Sequence, residues 1–279
     1  MSTTTLTFYD IATRPPVEKS CCAPNPWKAR QALNFKSLSY KTTWVDIPNI
    51  PKVRRDLNVP PCRKFADGSD FYTLPILHDP STNSLLGDSF DIAVYLQKTY
   101  PDSGAGNLFP DQNQKLDYTF TQDPAPLVPL TECRDSPFPD YALFNVNVDA
   151  AFTAHVQQIV QNFPFDPATI EATKAEFVRR AGLAGVARWE DFALVGEARE
   201  KTMRSFERTL GDLAVLFLRD PTGPFLLGST PCYADLIVGG WLHMMGVTLP
   251  EREWEEVKGW HGGVFGRLVE ALEVFGEVK

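Results

Sequence analysis

A proline inside an apolar, strand-like segment is the first feature of this sequence that could do chemistry. Residues 73–77 (TLPIL) have the composition of a strand, yet Pro75 cannot donate a hydrogen bond to a sheet. A cis Leu74–Pro75 bond at the start of the strand resolves this conflict. It would leave the amide and carbonyl groups of Leu74 free to pair with a short extended peptide as an added strand. A trans proline on an edge strand is the alternative.

A second motif lies at a predicted helix start, where Asp88 and Ser89 precede an apolar helical pattern. A helix N-terminus presents unpaired N–H groups and the positive end of the helix dipole, so it attracts a carboxylate. Ser89 adds a hydroxyl donor, and Asp88 could bind an amino group. Simple helix capping is the more common role of Asp and Ser at such a position.

The two motifs together describe one site. A predicted hairpin joins them, with strands at 72–78 and 85–86 and a turn at 79–83. One motif would pair with a peptide backbone, and the other would hold both charged groups of an α-amino acid. We therefore predict a binding site for a peptide with a free α-amino-acid head.

The elements around these motifs indicate a small α/β domain followed by an all-helical one. Strands are predicted at 6–11 and 40–46, and Asn25 is predicted as the N-cap of a helix that runs to about Lys36. The stretch 101–110, rich in Pro, Gly, Asn and Asp, is the best linker candidate. The proline-rich residues after it, up to about Asp140, are predicted to be irregular. Further helices are predicted at 48–57, 88–100, 150–162, 171–180, 198–218, 233–245 and 265–275.

Composition limits the classes of partner and the cellular compartment that we expect. The chain of 279 residues has 43% hydrophobic residues and a formal net charge of −8, which disfavours nucleic acid and anionic membranes as partners. No apolar run could span a bilayer, and no Cys/His spacing is typical of a zinc site. The odd number of cysteines points to a reducing compartment. We expect a cytoplasmic protein that binds no metal. The cysteines are Cys21, Cys22, Cys62, Cys133 and Cys232.

The order of elements and several short motifs resemble the glutathione transferase family over nearly the whole chain. The closest resemblance is to its etherase-related branch, and within that branch to the fungal class called FuA. It implies a thioredoxin-like α/β domain over residues 1–104 and an all-α domain over residues 105–279 that shapes the hydrophobic ligand site. The segments that carry it are Pro24, 27–33, 58–64, Asp67-Gly68, 73–79, Asp88-Ser89, 92–96, 99–101, 223–228 and 233–235.

The resemblance also implies how glutathione, the co-substrate, would be held. Leu74 would pair its backbone with the cysteinyl part of the tripeptide. Asp88 and Ser89 would hold the γ-glutamyl head. A basic residue from the long loop, Lys64 or Arg63, would meet the glycyl carboxylate.

A helix-capping box is implied in the second domain. Asp235 resembles the buried aspartate of that box, which is a folding element. The matching cap position holds Cys232, where Ser or Thr is usual. We therefore expect a weakened box, or Thr230 as a substitute for the usual cap.

The position that carries a catalytic Ser or Cys in related enzymes is Ala23 here. Catalysis needs the glutathione thiol ionised near neutral pH, although a free thiol has a pKa of about 8.5. Alanine offers the thiolate no hydroxyl donor. The N-terminus of the first helix still offers N–H groups, and Ser20, Cys22 or Asn25 could reach the sulfur if the loop folds back. A reactive Cys22 would change the chemistry to thiol–disulfide exchange; an inert loop thiol is the alternative.

The acceptor pocket is expected between the domains. The resemblance to the FuA class implies aromatic or polyphenolic partners and a homodimer. We expect a transferase that conjugates glutathione to hydrophobic electrophiles or reduces them with it. The rival is a non-catalytic ligandin, which Ala23 favours, and a scaffold that only keeps the fold is a third alternative. The residues expected to line the pocket are Phe120, Phe138, Tyr141, Phe144 and Phe152.

Overall fold

The computed structural model describes residues 5–65, 67–111, 115–121, 129, 131–132, 135–182 and 185–279. Cys133 lies outside them. The first half contains β1 (Leu6–Ile11), α1 (Val17–Ser20), α2 (Pro24–Phe35), β2 (Tyr40–Val45), α3 (Ile50–Asp56), β3 (Arg63–Lys64), β4 (Asp70–Phe71), β5 (Ile76–Asp79), β6 (Ser84–Leu86) and α4 (Ser89–Thr99). The second half contains α5 (Pro139–Thr153), α6 (Gln157–Val160), α7 (Ile170–Ala181), α8 (Gly196–Phe217), α9 (Tyr233–Thr248) and α10 (Glu251–Leu272). Short 3-10 turns cover Ile47–Asn49, Trp189–Phe192 and Glu273–Phe275.

The first half forms a mixed four-stranded sheet in the order β2-β1-β5-β6. Strand β1 is parallel to β2 and antiparallel to β5, and β5 and β6 form the predicted hairpin. Inward-facing Leu6 and Phe8 alternate with half-buried residues along β1, because successive side chains point to opposite faces of a strand. The predicted thioredoxin-like domain followed by an all-helical domain is confirmed.

Element boundaries differ from the prediction where prolines lie. Helix α2 begins at Pro24 with Ala23 at the N-cap, so Asn25 is not the cap. Proline is tolerated in the first turn, since its missing N–H would be unpaired there. Strand β5 begins only at Ile76, and β3 and β4 form a small ribbon that was not predicted.

A proline also explains why the start of α5 was not predicted. This helix begins at Pro139, whereas the sequence pattern predicted helix only from residue 150. Proline at the first helical position is compatible with the helix, but in a sequence pattern a proline is usually taken to indicate a loop. The predicted helix 150–162 is in fact the end of α5 followed by the separate short helix α6.

Close contact between α2 and α9 joins the two halves. A Cβ atom at Gly240 would lie 2.7 Å from the carbonyl oxygen of Pro24, so only glycine permits this approach. The hydroxyl of Tyr233 donates to the backbone oxygen of Ser89 at 3.0 Å, which ties α9 to α4. Both halves share one hydrophobic core. Among the described residues no helix is long and apolar enough to cross a membrane.

Helix α9 begins with the capping box that the resemblance implied. The carboxylate of Asp235 accepts from the backbone N–H of Cys232 at 2.7 Å and from that of Leu226 at 2.8 Å. The N-cap is Cys232 itself, so Thr230 does not substitute for it. Asp235 is fully buried, and this burial raises its pKa to about 6.

Replacing Asp235 by Ala should therefore destabilise the protein. Two buried backbone N–H groups would lose their acceptor, which we expect to cost about 2–4 kcal/mol. The free energy of unfolding in urea measures this. The exposed Asp212 on α8 is the control, since Asp212→Ala should change the free energy by less than about 0.5 kcal/mol. Equal effects of the two substitutions would exclude the capping role.

Candidate functional site

Among the described residues, three neighbouring cavities follow the junction of the two domains. The apolar cavity has a volume of about 190 Å³ and the polar cavity one of about 220 Å³. The connecting cavity, of about 120 Å³, shares Asn25, Thr73 and Trp241 with the apolar cavity, and it shares Arg63 and Thr131 with the polar cavity. The three therefore form a continuous run.

Leu74 lies on the wall of the apolar cavity. The Leu74–Pro75 bond is cis, which decides between the two alternatives that the sequence left open. Because β5 begins at Ile76, the backbone of Leu74 lies outside the ladder with β1. Its N–H has no hydrogen-bond partner among the described residues. A strand-like ligand could bind to this backbone.

Asp88 lies at the N-cap of α4 and lines the polar cavity. Its Oδ1 accepts from the N–H groups of Phe90 at 2.8 Å and Asp91 at 3.4 Å. Its Oδ2 has no hydrogen-bond partner among the described residues, so this capping residue keeps an oxygen for a ligand. Ser89 is buried beside it, as the first residue of the helix, and does not line the polar cavity.

Arg54 of α3 connects these two parts of the site, a role that the sequence did not reveal. Its buried guanidinium donates through Nη1 to the carbonyl oxygens of Thr73 and, at 3.0 Å, Gly87. Those carbonyls directly precede Leu74 and Asp88. One side chain thus fixes the spacing between the free N–H of Leu74 and the N-cap of α4.

Arg63, rather than Lys64, faces the cavities. Arg63 lines both the polar and the connecting cavity, and its Nη1 donates to the carbonyl oxygen of Pro129 at 2.7 Å. The side chain of Lys64 is 63% exposed, forms an ion pair with Asp70 at 2.7 Å and lines none of these cavities. Adjacent residues of a strand point in opposite directions, so only one of the two predicted candidates reaches the site.

Ala23 and Asn25 lie where the apolar and connecting cavities meet. Ala23 lines the apolar cavity and Asn25 lines both. The Oδ1 of Asn25 accepts a hydrogen bond from Nζ of Lys28 at 3.1 Å. Lys28 is fully buried, also donates to Asn145 Oδ1 at 2.9 Å and forms an ion pair with Asp149.

The hydrogen bond from Lys28 determines which atom of the Asn25 side chain is available to a ligand. An ammonium group can only donate, so Lys28 holds Oδ1 of Asn25 and leaves the Nδ2 amide without a partner among the described residues. The indole Nε1 of Trp241 donates to Asp149 at 2.6 Å and holds the carboxylate in place. Burial lowers the pKa of Lys28, and the Asp149 carboxylate opposes this shift. The result is a hydrogen-bond donor at the junction of two cavities.

Ser20 and Cys22, the other predicted sulfur contacts, do not line any of these cavities. The Oγ of Ser20 is hydrogen-bonded to Thr13 Oγ1 at 2.8 Å and to the Arg14 backbone. Cys22 lies in the hydrophobic core, where burial raises its pKa well above the ordinary value. Cys22 and its neighbour Cys21 are free cysteines.

None of the five predicted aromatic residues lines the apolar cavity. They pack in or against the helical core instead, and those that belong to α5 are buried in it. These residues are Phe120, Phe138, Tyr141, Phe144 and Phe152. The wall contributed by the second domain consists of Thr153, Val156, Ile159, Val160, Phe163, Phe177, Arg180, Ala181, Phe192, Trp241 and Met244.

Replacing Lys28 by Met should destabilise the protein by about 3–5 kcal/mol, because the buried Asp149 carboxylate would lose its counter-charge. The free energy of unfolding in urea measures this. The exposed Lys52, which forms an ion pair with Asp56, is the control. Lys52→Met should cost less than about 1 kcal/mol, and equal losses would show that the buried pair is not a special constraint.

Comparison with protein families identifies both halves of the chain. Residues 23–99 match the model of the glutathione S-transferase N-terminal domain, and residues 142–275 match a model of the glutathione S-transferase C-terminal domain. A curated relative, the glutathione S-transferase-like protein ustS of Aspergillus flavus, is 26% identical over 98% of this chain and 93% of its own length.

Solved structures share the fold along the whole chain. One is the glutathione S-transferase CsGST63524 of Ceriporiopsis subvermispora in complex with glutathione, with 28% identity, 99% coverage of both chains and a TM-score of 0.74. Another is the glutathione transferase GSTFuA2 from Phanerochaete chrysosporium, with 24% identity, 99% coverage of both chains and a TM-score of 0.76.

Proposed function

Because the chain belongs to the glutathione S-transferase family, we propose that it binds glutathione along the run of three cavities and transfers it to small apolar electrophiles. The observation that carries this proposal is that a free backbone N–H, a side-chain hydrogen-bond donor and an apolar cavity lie together. Leu74, Asn25 and the aromatic wall all line the apolar cavity.

The tripeptide would extend from the polar cavity toward the apolar one. Asp88 would bind the amino group of the γ-glutamyl head through its free Oδ2. The positive end of the α4 dipole and the N–H of Ser89 would receive the carboxylate, since Asp88 Oδ1 already holds the N–H groups of Phe90 and Asp91. The backbone of Leu74 would pair with the cysteinyl residue. Arg63 would meet the glycyl carboxylate in the connecting cavity, which it lines together with Asn25 and Thr73. The similar structure from Ceriporiopsis subvermispora, solved with glutathione, supports this ligand.

Asn25 would take the place of the missing hydroxyl at Ala23. Its Nδ2 amide would donate to the sulfur, and a hydrogen bond to the charged form lowers the pKa of an acid. The thiolate would then attack an electrophilic carbon in the apolar cavity. In a substitution, the electron pair of the thiolate forms the C–S bond and the leaving group departs with the electrons of the bond that breaks. In an addition to an activated double bond, the thiolate pair forms the C–S bond, the π electrons shift to the activating group, and the adduct then takes up a proton.

The aromatic wall of the apolar cavity supports flat acceptors, aromatic or polyphenolic. Phe163, Phe177, Phe192 and Trp241 all line it, and aromatic rings favour stacked or edge-to-face contacts with one another. The proposal includes a homodimer, and this part of it is supported only by the resemblance to the FuA class.

A non-catalytic ligandin is the second candidate, and Ala23 is the observation that favours it. Binding of glutathione and aromatic compounds without turnover would support this function. Calorimetry with glutathione and a conjugation assay with an aryl halide, made on one sample, distinguish the two candidates. Turnover supports the transferase.

Replacing Asn25 by Ala should raise the pKa of the bound thiol by roughly one unit, because the thiolate loses a donor. The conjugation rate should fall roughly tenfold below the pKa of the thiol, and the difference should vanish at pH values above both pKa values. A pH–rate profile with a saturating aryl halide measures this. Cys22→Ala is the control and should leave the profile unchanged; a loss that is equal at every pH would exclude the proposed role of Asn25.

The neighbours Arg63 and Lys64 form a matched pair for the glycyl carboxylate. Arg63→Gln should weaken glutathione binding by roughly tenfold, since it removes a charge-assisted hydrogen bond. Lys64→Gln should leave the affinity unchanged, because this side chain faces solvent. Calorimetric titration with glutathione measures both. The reverse order of effects would place the carboxylate at Lys64.

A further inference from the structure

Arg180 is the only charged side chain among the described residues that line the apolar cavity. It lies near the end of α7, and its side chain is 13% exposed. Its guanidinium lies 5.0 Å from the ring centre of Phe71, which lines the same cavity. A cation in these apolar surroundings needs an explanation, because burying a charge is unfavourable unless a partner compensates it.

The partner that Arg180 has inside the protein is shared. Nε of Arg180 donates to Glu176 Oε1 at 2.7 Å. The same carboxylate accepts from Arg179 at both oxygens, through Nε at 2.7 Å and Nη2 at 2.8 Å. One carboxylate thus faces two guanidinium groups, and the Asp67 carboxylate adds its attraction only to Arg179.

The two terminal nitrogens of the Arg180 guanidinium are available to a ligand. Nη1 and Nη2 have no hydrogen-bond partner among the described residues, since the bond to Glu176 uses Nε. Burial lowers the pKa of Arg180 despite this carboxylate. Two parallel N–H donors match the geometry of a carboxylate, which guanidinium groups bind in bidentate fashion.

We propose that the apolar cavity selects acceptors that combine an aromatic body with a carboxylate, and that Arg180 binds this carboxylate. The aromatic wall takes the ring, and the free N–H groups of Arg180 take the anion. This inference rests on the proposed function, because it places glutathione in the adjoining cavities. Arg180 is a specificity-determining residue and has no part in ionising the thiol.

S-substituted glutathiones test the proposal without any need for turnover. The probes are S-benzylglutathione and its meta- and para-carboxylated forms, titrated calorimetrically into the full chain. We expect at least one carboxylated isomer to bind roughly tenfold more tightly than S-benzylglutathione, as one charge-assisted hydrogen-bonded pair would give. Arg180→Leu should remove this preference, and Arg180→Lys should reduce it. Binding of S-benzylglutathione should be kept in both variants, which also shows that they fold.

Arg179→Leu is the matched control, since Arg179 is the neighbour on the exposed side and does not line the cavity. This variant should keep the preference. The proposal is overturned if neither carboxylated isomer binds more tightly, if the preference survives in Arg180→Leu, or if Arg179→Leu removes it equally. Failure of glutathione and S-benzylglutathione alike to bind would instead overturn the proposed function on which this inference rests.

Discussion

The buried ion pair of Lys28 and Asp149 is the constraint on which the rest of the site depends. It joins α2 of the first domain to α5 of the second. Removing either partner would leave a buried charge uncompensated, so the relative position of these two helices is strongly fixed. Lys28 directs the amide of Asn25, and Asp149 holds the indole of Trp241. A contact between domains thereby sets the shape and the chemistry of the cavity at their junction.

The two domains contribute different properties to the site. The first supplies the polar groups: the free N–H of Leu74, the N-cap oxygen of Asp88 and the guanidinium of Arg63. Arg54 fixes the spacing of the first two through the carbonyl groups of Thr73 and Gly87. The second domain supplies most of the apolar wall. In the proposed function, recognition of the peptide and choice of the acceptor would therefore be carried by different parts of the chain.

The sequence predicted best what depends on local chemistry. A few adjacent residues indicated a cis bond before Pro75 as one of two alternatives, and helix capping at Asp88; the structure has both. The fold class followed from the order of the elements. The choice between Arg63 and Lys64 could not be made, because it depends on the direction of a two-residue strand that carries no visible pattern.

What the sequence could not predict depends on contacts between distant segments. The orientation of Asn25 is set by Lys28 and Asp149, and the second of these lies on a helix whose start was hidden by Pro139. The aromatic residues of α5 were expected in the cavity but face the core, since a helix pattern does not say which neighbour covers which face. Ser20 and Cys22 could be excluded as contacts of the glutathione sulfur only once the path of their loop was known.

The most direct test of this account is the pKa of the glutathione thiol in the complex. It can be measured from the ultraviolet absorbance of the thiolate, in the absence of any acceptor, as the pH is varied. The account predicts a pKa at least one unit below the value of about 8.5 of a free thiol, although Ala23 occupies the usual catalytic position. A thiol that binds with an unchanged pKa would contradict the role of Asn25 and would favour a carrier over a transferase.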